Sequence, residues 1–199
     1  MGIVERKQRQ KEEVRESILR AAWTLVLAEG WQALSIRKIA DAIEYSIPVI
    51  YNHFENKEAI LLEFTKEGFR LLNKQLEAAK QHQNTPAQQL EAIAQAYWNF
   101  AFTNKQFYQL MYGLGMPTCE VVQQIPEMGS FSNTMQETIK NLIASSKNPA
   151  ADYLLKFHTF WSLLHGLVSI NLTGRSEAPA KLNQLVLQDA VQGFIRNFD

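Results

Sequence analysis

The sequence predicts an all-α protein of about nine helices. Apolar residues recur at helical spacing along most of the chain, and no segment shows the alternation that is typical of a strand. Two short helical patterns lie close together, with the apolar faces Ile36, Ile39, Ala40, Ile43 and Ile47, Ile50, Tyr51, Phe54. Only Glu44, Tyr45 and Ser46 separate these faces, which predicts a helix-turn-helix.

The first element is predicted to be a long amphipathic helix that begins near Val14 and ends at Gly30. The preceding residues 1–13 leave two interpretations open. They are either the solvated start of this helix or a flexible arm that contacts DNA phosphates. The arm's cationic side chains are Arg6, Lys7 and Arg9.

The long helix and the two short ones are predicted to form a compact three-helix domain. Ser35 and Ser46 stand where they can cap the short helices, and Pro48 falls in a first turn, where a missing N–H costs little. The predicted core consists of Ile18, Ala22, Leu25, Ile36, Ile39, Ala40, Ile43, Ile50 and Phe54.

The remaining elements are predicted from caps and breaks. Asn56 caps a helix that runs to about Lys80, and Thr85-Pro86-Ala87-Gln88 is a capping box that starts the next. Residues 113–117 break the pattern, and later helices cover about 130–145, 153–172 and 179–197. We therefore predict a helix-turn-helix domain over 1–56, a connecting helix over 57–80 and a C-terminal domain over 81–199.

Composition and charge narrow the class of protein. The chain is 46% hydrophobic and 20% charged, and it contains no apolar run of the ~18 residues that a membrane span requires. Its charged N-terminal residues do not resemble a signal peptide, and a single cysteine, Cys119, fits a reducing cytoplasm. The net charge of zero lacks the basic excess of many nucleic-acid binders, so any positive face must come from spatial arrangement.

The segment SIRKIADAIEYSIPVIYNHFENKEAIL, residues 35–61, resembles the DNA-binding segment of the TetR family of bacterial transcriptional regulators. The Tyr51-x-His53-Phe54 group and the Asn56-to-Leu61 run that follows carry most of this resemblance. The sequence departs from the family pattern at Glu44, where glycine is usual in the turn, and at Ile47, where lysine is usual. The resemblance implies a recognition helix that starts near Tyr45.

The start of a recognition helix points at base edges, and here it is mostly apolar. Apolar side chains at 47–49 could touch thymine methyl groups, whereas hydrogen bonds to bases fall to Arg37, Asn52 and the Tyr45 hydroxyl. The resemblance implies that Tyr51, His53 and Lys57 contact phosphates. The predicted DNA-binding residues are Ser35, Arg37, Tyr45, Ser46, Ile47, Pro48, Val49, Tyr51, Asn52, His53 and Lys57.

A second resemblance lies in Phe160-Trp161-x-x-x-His165-Gly166-Leu167, which is similar to the WHG type of TetR C-terminal domain. It implies an effector-binding and dimerisation domain without naming the effector. The aromatic and methionine-rich middle of the chain would serve either as ordinary core or as an apolar pocket with a few polar tips. The predicted ligand-binding residues are Trp98, Phe102, Phe107, Tyr108, Met111, Tyr112, Met128, Met135, Trp161 and His165.

The last two helices are apolar on more than one side, which predicts a four-helix dimer interface. The predicted interface residues are Leu167, Ile170, Leu187, Val191, Phe194 and Phe198.

The function that we predict is a homodimeric, ligand-responsive transcriptional regulator in the cytoplasm. It would act as a repressor on a palindromic operator in double-stranded DNA, and a small apolar or amphipathic effector would release it. The alternative is a helical protein-interaction adaptor that does not bind DNA. No nucleophile, phosphate loop or metal-ligand spacing appears in the sequence, so we predict no enzyme activity, no metal and no cofactor.

Overall fold

The computed structural model describes residues 2–113, 125–172, 174 and 180–198. Within these ranges the chain is all-helical, as predicted. The helices are α1 (Ile3–Glu29), a 3-10 turn (Trp31–Ala33), α2 (Ile36–Ala42), α3 (Ile47–Tyr51), α4 (Lys57–Gln81), α5 (Pro86–Thr103), α6 (Lys105–Tyr112), α7 (Pro126–Ala144), α8 (Tyr153–Leu172) and α9 (Ala180–Arg196). The predicted break at 114–117 and Cys119 lie outside the described residues.

The structure divides into two compact units. The first contains residues 1–67 together with 106–122, and the second contains 68–105 together with 123–199. The first unit therefore includes the start of α4 and most of α6, which the predicted ranges placed elsewhere. The functional division at 56/57 and 80/81 stays a prediction.

The first unit is built by α1, α2 and α3, which pack on one another. Most of the predicted core is buried, including Ile18, Ile39, Ile50 and Phe54. Three predicted core residues, Leu25, Ile36 and Ile43, are only partly buried. Val26, rather than Leu25, is fully buried, because it lies one turn after the buried Ala22 on the same face of α1.

The N-terminal segment is helical from Ile3, so the interpretation of residues 1–13 as a flexible arm is wrong. Residues 4–13 are exposed, and Arg9 Nε lies 3.6 Å from a Glu13 carboxylate oxygen one turn along. Glu, Lys, Arg and Gln favour helix without needing a packed face, which explains a solvated helix start.

The second unit is formed by α5, α7, α8 and α9, which contact one another around a shared core. Tyr97, Phe100, Phe131 and Phe160 are among its largest fully buried side chains. The predicted capping box starts α5, because the Thr85 hydroxyl accepts from the Gln88 N–H and the Gln88 side chain accepts from the Thr85 N–H.

Polar contacts join the second half of α4 to α7 within this unit. Arg70 Nη2 lies 3.0 Å from Glu127 Oε1, and Lys80 Nζ lies 2.8 Å from Glu137 Oε2. Between them the buried Thr134 hydroxyl lies 2.6 Å from Glu77 Oε1. These contacts fix the rotation of α4 about its axis relative to α7.

Candidate DNA-binding and effector sites

The helix-turn-helix is held by local caps and one strained turn. The Ser35 hydroxyl accepts from the Lys38 N–H at 3.2 Å and begins α2 as predicted. Glu44 has a φ of 58°, and the Tyr45 N–H then returns to the Ala40 carbonyl at 3.0 Å. Ser46 occupies the N-cap position of α3, but its side chain makes no capping hydrogen bond.

The fully buried Ile50 fixes which side of α3 faces the core. The opposite side is exposed: Tyr45, Ile47 and Tyr51 keep 47%, 40% and 52% of their surface in contact with solvent. Arg37, Ser46, Pro48 and Asn52 are exposed as well, and the other four predicted DNA-binding residues, Ser35, Val49, His53 and Lys57, are partly exposed. All eleven belong to the first unit, and each could be reached by a ligand.

Arg37 lies on the exposed side of α2. Its Nε is 3.9 Å from Asp41 Oδ2, and its side chain is 83% exposed. Such an exposed pair at the distance limit contributes little to stability. The guanidinium can therefore leave Asp41 for a base edge or a phosphate at small cost.

His53 is the titratable group of this region whose pKa is perturbed. Burial is the largest cause of its lowered pKa, followed by the positive charges of Lys11 and Arg15. Its Nδ1 is buried and has no hydrogen-bond partner among the described residues. At neutral pH the ring is thus uncharged, and it can offer a phosphate a hydrogen bond rather than a positive charge.

Arg15 connects α1 to α4 within the first unit. Its Nη2 lies 2.8 Å from Glu63 Oε2, and its guanidinium lies 5.0 Å from the centre of the Phe54 ring. Burial alone would raise the pKa of Glu63, but hydrogen bonds from Arg15 and Lys66 lower it. This pairing holds the start of α4, where Lys57 lies, against the helix-turn-helix.

An aromatic cluster in the first unit was not anticipated from the sequence. The Trp23 ring stacks on Phe107 with 4.4 Å between centroids, and Trp31 donates its Nε1–H to the Gln106 carbonyl at 2.8 Å. Phe64 packs 5.5 Å from both tryptophans. Phe107, a predicted ligand-binding residue, therefore contacts α1, and only the aromatic character of Trp23 could have signalled this packing.

The predicted ligand-binding residues divide between the two units. Phe107, Tyr108, Met111 and Tyr112 lie in the first, and Trp98, Phe102, Met128, Met135, Trp161 and His165 lie in the second. Met135 and Met111 are fully buried, whereas Phe102 is exposed and lies 4.6 Å from the Trp98 ring. Their role in binding an effector stays a prediction.

A polar chain lies inside the second unit around His165. The fully buried Tyr97 places its hydroxyl 3.4 Å from His165 Nδ1, and the Ser169 hydroxyl lies 3.4 Å from His165 Nε2. Trp161 lies beside the imidazole with 5.7 Å between ring centroids. Burial lowers the pKa of His165, so the chain is uncharged at neutral pH. Both distances are at the long end of the hydrogen-bond range, so these bonds are weak.

The described residues also form open grooves, of which two are well defined. One of about 290 Å³ lies between α5 and α9 in the second unit, lined by Glu91, Ala94, Gln95, Leu187, Gln188, Val191 and Gln192. The other, of about 300 Å³, lies between α1 and α2 in the first unit, lined by Ser17, Arg20, Ala21, Thr24, Leu25, Ala42 and Ile43. Neither groove contains a predicted ligand-binding residue.

Four of the predicted interface residues pack within the subunit. Leu187, Val191, Phe194 and Phe198 are buried in the single chain, with Phe194 packed 5.0 Å from the Phe160 ring. Leu187 and Val191 also line the open groove between α5 and α9, and a place for any of the four at a dimer interface stays a prediction. Of the other two, Leu167 is partly exposed and Ile170 is exposed. On α9 the exposed apolar side chains are Leu182, Leu185 and Val186.

The described residues contain no group of three or more His, Cys, Asp or Glu side chains placed to hold a metal ion. Among the helices described, none is long and apolar enough to cross a membrane.

Comparisons with known proteins assign the chain. A family model described as bacterial regulatory proteins, tetR family, matches residues 18–64. A second, described as a tetracyclin repressor-like C-terminal domain, matches residues 90–191, which is more than half of the chain. No curated protein sequence matches significantly.

Solved structures share the fold at low sequence identity. A protein of unknown function from Rhodococcus sp. RHA1 has a TM-score of 0.77 and 22% identity, over 92% of this chain and 94% of that one. The transcriptional regulator FadR from Bacillus subtilis, solved with stearoyl-CoA, has a TM-score of 0.70 and 19% identity over 89% and 98%. The fatty acid degradation regulator FadR from Bacillus halodurans has a TM-score of 0.68 and 16% identity over 89% and 94%.

A helix-turn-helix joined to a separate helical unit is the architecture of a class of DNA-binding transcriptional regulators. The two matching models make the assignment specific. The chain belongs to the TetR family of bacterial regulatory proteins.

Proposed function

We propose that this regulator is a repressor that binds a palindromic operator as a homodimer and leaves it when an effector binds. The observation that carries the proposal is the exposed side of α3, opposite the buried Ile50, in a chain of this family. Two such helices related by a two-fold axis, about 34–36 Å apart, would enter successive major grooves.

Phosphate contacts would supply most of the affinity. Lys57 begins α4, and the exposed Tyr51 ends α3, so both side chains can reach a backbone beside the recognition helix. Arg37, on the exposed side of α2, adds a third side chain that can reach the DNA. Family membership favours this function over the adaptor that the sequence also allowed.

The effector that we propose is a small apolar or amphipathic molecule held in the second unit. Tyr97, His165 and Ser169 form a neutral polar chain there, and the partly buried Trp161 ring lies beside its imidazole. B. subtilis FadR was solved with stearoyl-CoA, an amphipathic ligand, although that protein shares only the fold with this one. In the described part of the second unit no Lys or Arg is buried, which favours an effector whose buried end is uncharged.

Release would follow from a differential affinity of the effector for two states of the protein, with a coupling of about 1–3 kcal/mol. We expect α4 to transmit the effect of effector binding to the DNA-binding unit. This helix begins in the first unit at Lys57 and ends in the second unit at Gln81.

Fluorescence anisotropy on duplexes selected from a random pool tests this function. Wild-type protein should bind with a steep salt dependence, and Lys57→Ala should lower the slope of log K against log salt by about one. A matched control is Lys140→Ala on α7, whose ammonium lies over the Tyr153 ring in the second unit. If no duplex is bound better than random DNA, the proposed repressor function is wrong.

The effector is tested by adding candidates to the preformed complex. A long-chain fatty alcohol or aromatic phenol should release DNA, and His165→Leu should weaken that release without changing DNA affinity in its absence. Release by a fatty acid carboxylate but not by the matching fatty alcohol would contradict an uncharged buried end.

A further inference from the structure

The surface that α3 presents outward is apolar where sequence-reading helices commonly carry hydrogen-bonding side chains. Ile47 and Pro48 are exposed, and the next residue, Val49, is partly exposed. Ile47 keeps 40% of its surface in water although it begins a helix whose other side is anchored by the buried Ile50. The described residues leave this part of the Ile47 side chain uncovered, so it is free to make an apolar contact with a molecule outside the subunit.

The four bases differ in what they offer to such a surface. In the major groove guanine is read through Arg or Lys, adenine through Asn or Gln, and cytosine through Asp or Glu. Thymine alone carries a C5-methyl group, which an apolar side chain can contact. Positions 46–49 contain none of the six residue types that read the other three bases.

The polar groups nearby do not replace this readout. The Ser46 hydroxyl makes no capping hydrogen bond and is therefore available to a base. A hydroxyl can either donate or accept, so it distinguishes one base from another only weakly. The Glu44 side chain, in the turn before α3, is exposed and negatively charged, which opposes its close approach to the phosphates. Arg37 lies on α2 rather than on α3.

We propose that Ile47 and Pro48 read thymine methyl groups, so that each operator half-site is specified at one or two positions by a 5-methyl group rather than by a hydrogen bond. The inference rests on the proposed docking of α3 in the major groove. It assigns Ile47 as a specificity-determining residue and predicts at least one required thymine in each half-site.

The test removes the methyl group from the DNA and the contact from the protein separately. Each thymine of a selected half-site is replaced in turn by uracil, which keeps every hydrogen-bonding group and lacks only the methyl. At the required position wild-type affinity should fall about fourfold per half-site, the factor that corresponds to one buried methyl. Ile47→Ala should bind the thymine duplex more weakly and should lose no further affinity on the uracil duplex.

Two controls separate methyl readout from other causes. Leu27→Ala removes an exposed apolar side chain near the end of α1, so it should keep the full penalty for uracil. A half-site with cytosine at the required position should bind weakly, and 5-methylcytosine there should recover part of the loss for wild type but not for Ile47→Ala.

The outcomes are distinguishable. If wild-type protein binds no duplex specifically, both the proposed function and this inference fail. If it binds a selected duplex and every uracil substitution leaves its affinity within twofold, the repressor function stands and methyl readout is wrong. If Ile47→Ala keeps the uracil penalty at every position, Ile47 is not the residue that reads the methyl.

Discussion

At the scale of single residues, Glu44 combines a conformational cost with an unfavourable charge. It is the one non-glycine residue with a positive φ in the described part of the chain, at 58°. A side chain with a Cβ is strained in this left-handed region by roughly 1–2 kcal/mol. Glu44 is also exposed two residues before Ser46, where its carboxylate would approach DNA.

We expect Glu44→Asn and Glu44→Gln to separate these two effects. Asparagine tolerates the left-handed region, so Glu44→Asn should raise the free energy of unfolding by about 0.5–1 kcal/mol, whereas Glu44→Gln should leave it nearly unchanged. Both remove the carboxylate, so both should bind DNA more tightly at low salt. Urea denaturation and anisotropy measure the two quantities. Equal stabilities for the two variants would contradict strain at this turn.

His165 should make the stability of the protein depend on pH. Burial lowers its pKa in the folded state, so between that value and its ordinary value of 6.5 the unfolded chain binds more protons than the folded chain. Stability should therefore fall as the pH drops below about 6.5. His165→Gln keeps a polar group near Tyr97 and should flatten this dependence, measured as urea midpoints from about pH 8 to about pH 5.

The pKa of His53 is also lowered in the folded state, so His53 should likewise make the protein less stable as the pH falls. His53→Gln is therefore measured beside His165→Gln. Each variant should remove part of the acid sensitivity. A His165→Gln protein that loses stability on acidification as steeply as wild type would show that His165 is not buried in its neutral form.

At the scale of helices, the sequence predicted elements that begin with a side-chain cap or bury a continuous stripe. The Asn56 side chain accepts from the Ala59 N–H at 2.8 Å as the start of α4, and α8 covers the predicted 153–172. The start of α1 was left open, because residues 4–13 are mostly charged or polar and all exposed, and apolar periodicity cannot show whether such turns are helical.

The candidate sites were predicted unevenly for the same reason. The predicted recognition residues 45–49 are consecutive, so they lie together at the start of α3, and the structure leaves none of them buried. The contact of Trp23 with Phe107 joins residues far apart in sequence, which periodicity does not reveal. Because α9 is apolar on two sides, its sequence does not show which side faces the core. In the structure Phe194 is buried together with Leu187, whereas Val186 is exposed.

Two helix caps offer a matched comparison of stability and function. Ser35 caps α2 in the first unit and Thr85 caps α5 in the second, through similar hydrogen bonds of 3.2 Å. Ser35→Ala and Thr85→Ala should each cost about 1 kcal/mol of unfolding free energy. Because α2 packs on α3, only Ser35→Ala should also weaken DNA binding. Equal DNA affinities for the two variants would contradict a role for the α2 cap in positioning α3.

At the scale of the whole molecule, a two-fold dimer must bury apolar surface that the single subunit leaves exposed. On α8 a stripe of Leu155, Thr159, Ser162 and Gly166 faces away from the buried Phe157, Phe160, Leu164 and Val168. Small side chains in the middle of this stripe allow two backbones to approach closely. α9 adds the exposed Leu182, Leu185 and Val186. We therefore expect these exposed residues of α8 and α9 to contribute to the dimer interface.

Gly166→Gln should convert the dimer into a folded monomer. Apart from the adjacent backbone of α8, a Cβ at Gly166 meets no atom of the described residues within 4 Å, and glutamine favours helix over glycine by about 0.5–1 kcal/mol, so the single chain should not be destabilised. Across a close two-fold contact the same side chain would separate the helices. Gly129→Gln on α7 is the matched control, because a Cβ there also meets nothing within 4 Å.

Light scattering at micromolar concentration should give a dimer for wild type and Gly129→Gln, and a monomer for Gly166→Gln. Val186→Glu should also give a monomer, because it places a charge on the exposed side of α9. Both monomers should lose operator binding while keeping helical content, since a single recognition helix engages only one half-site. If Gly166→Gln and Val186→Glu both stay dimeric, the interface lies elsewhere on the chain. A dimer whose two-fold axis passes between the α8 and α9 helices of the two subunits would then be wrong.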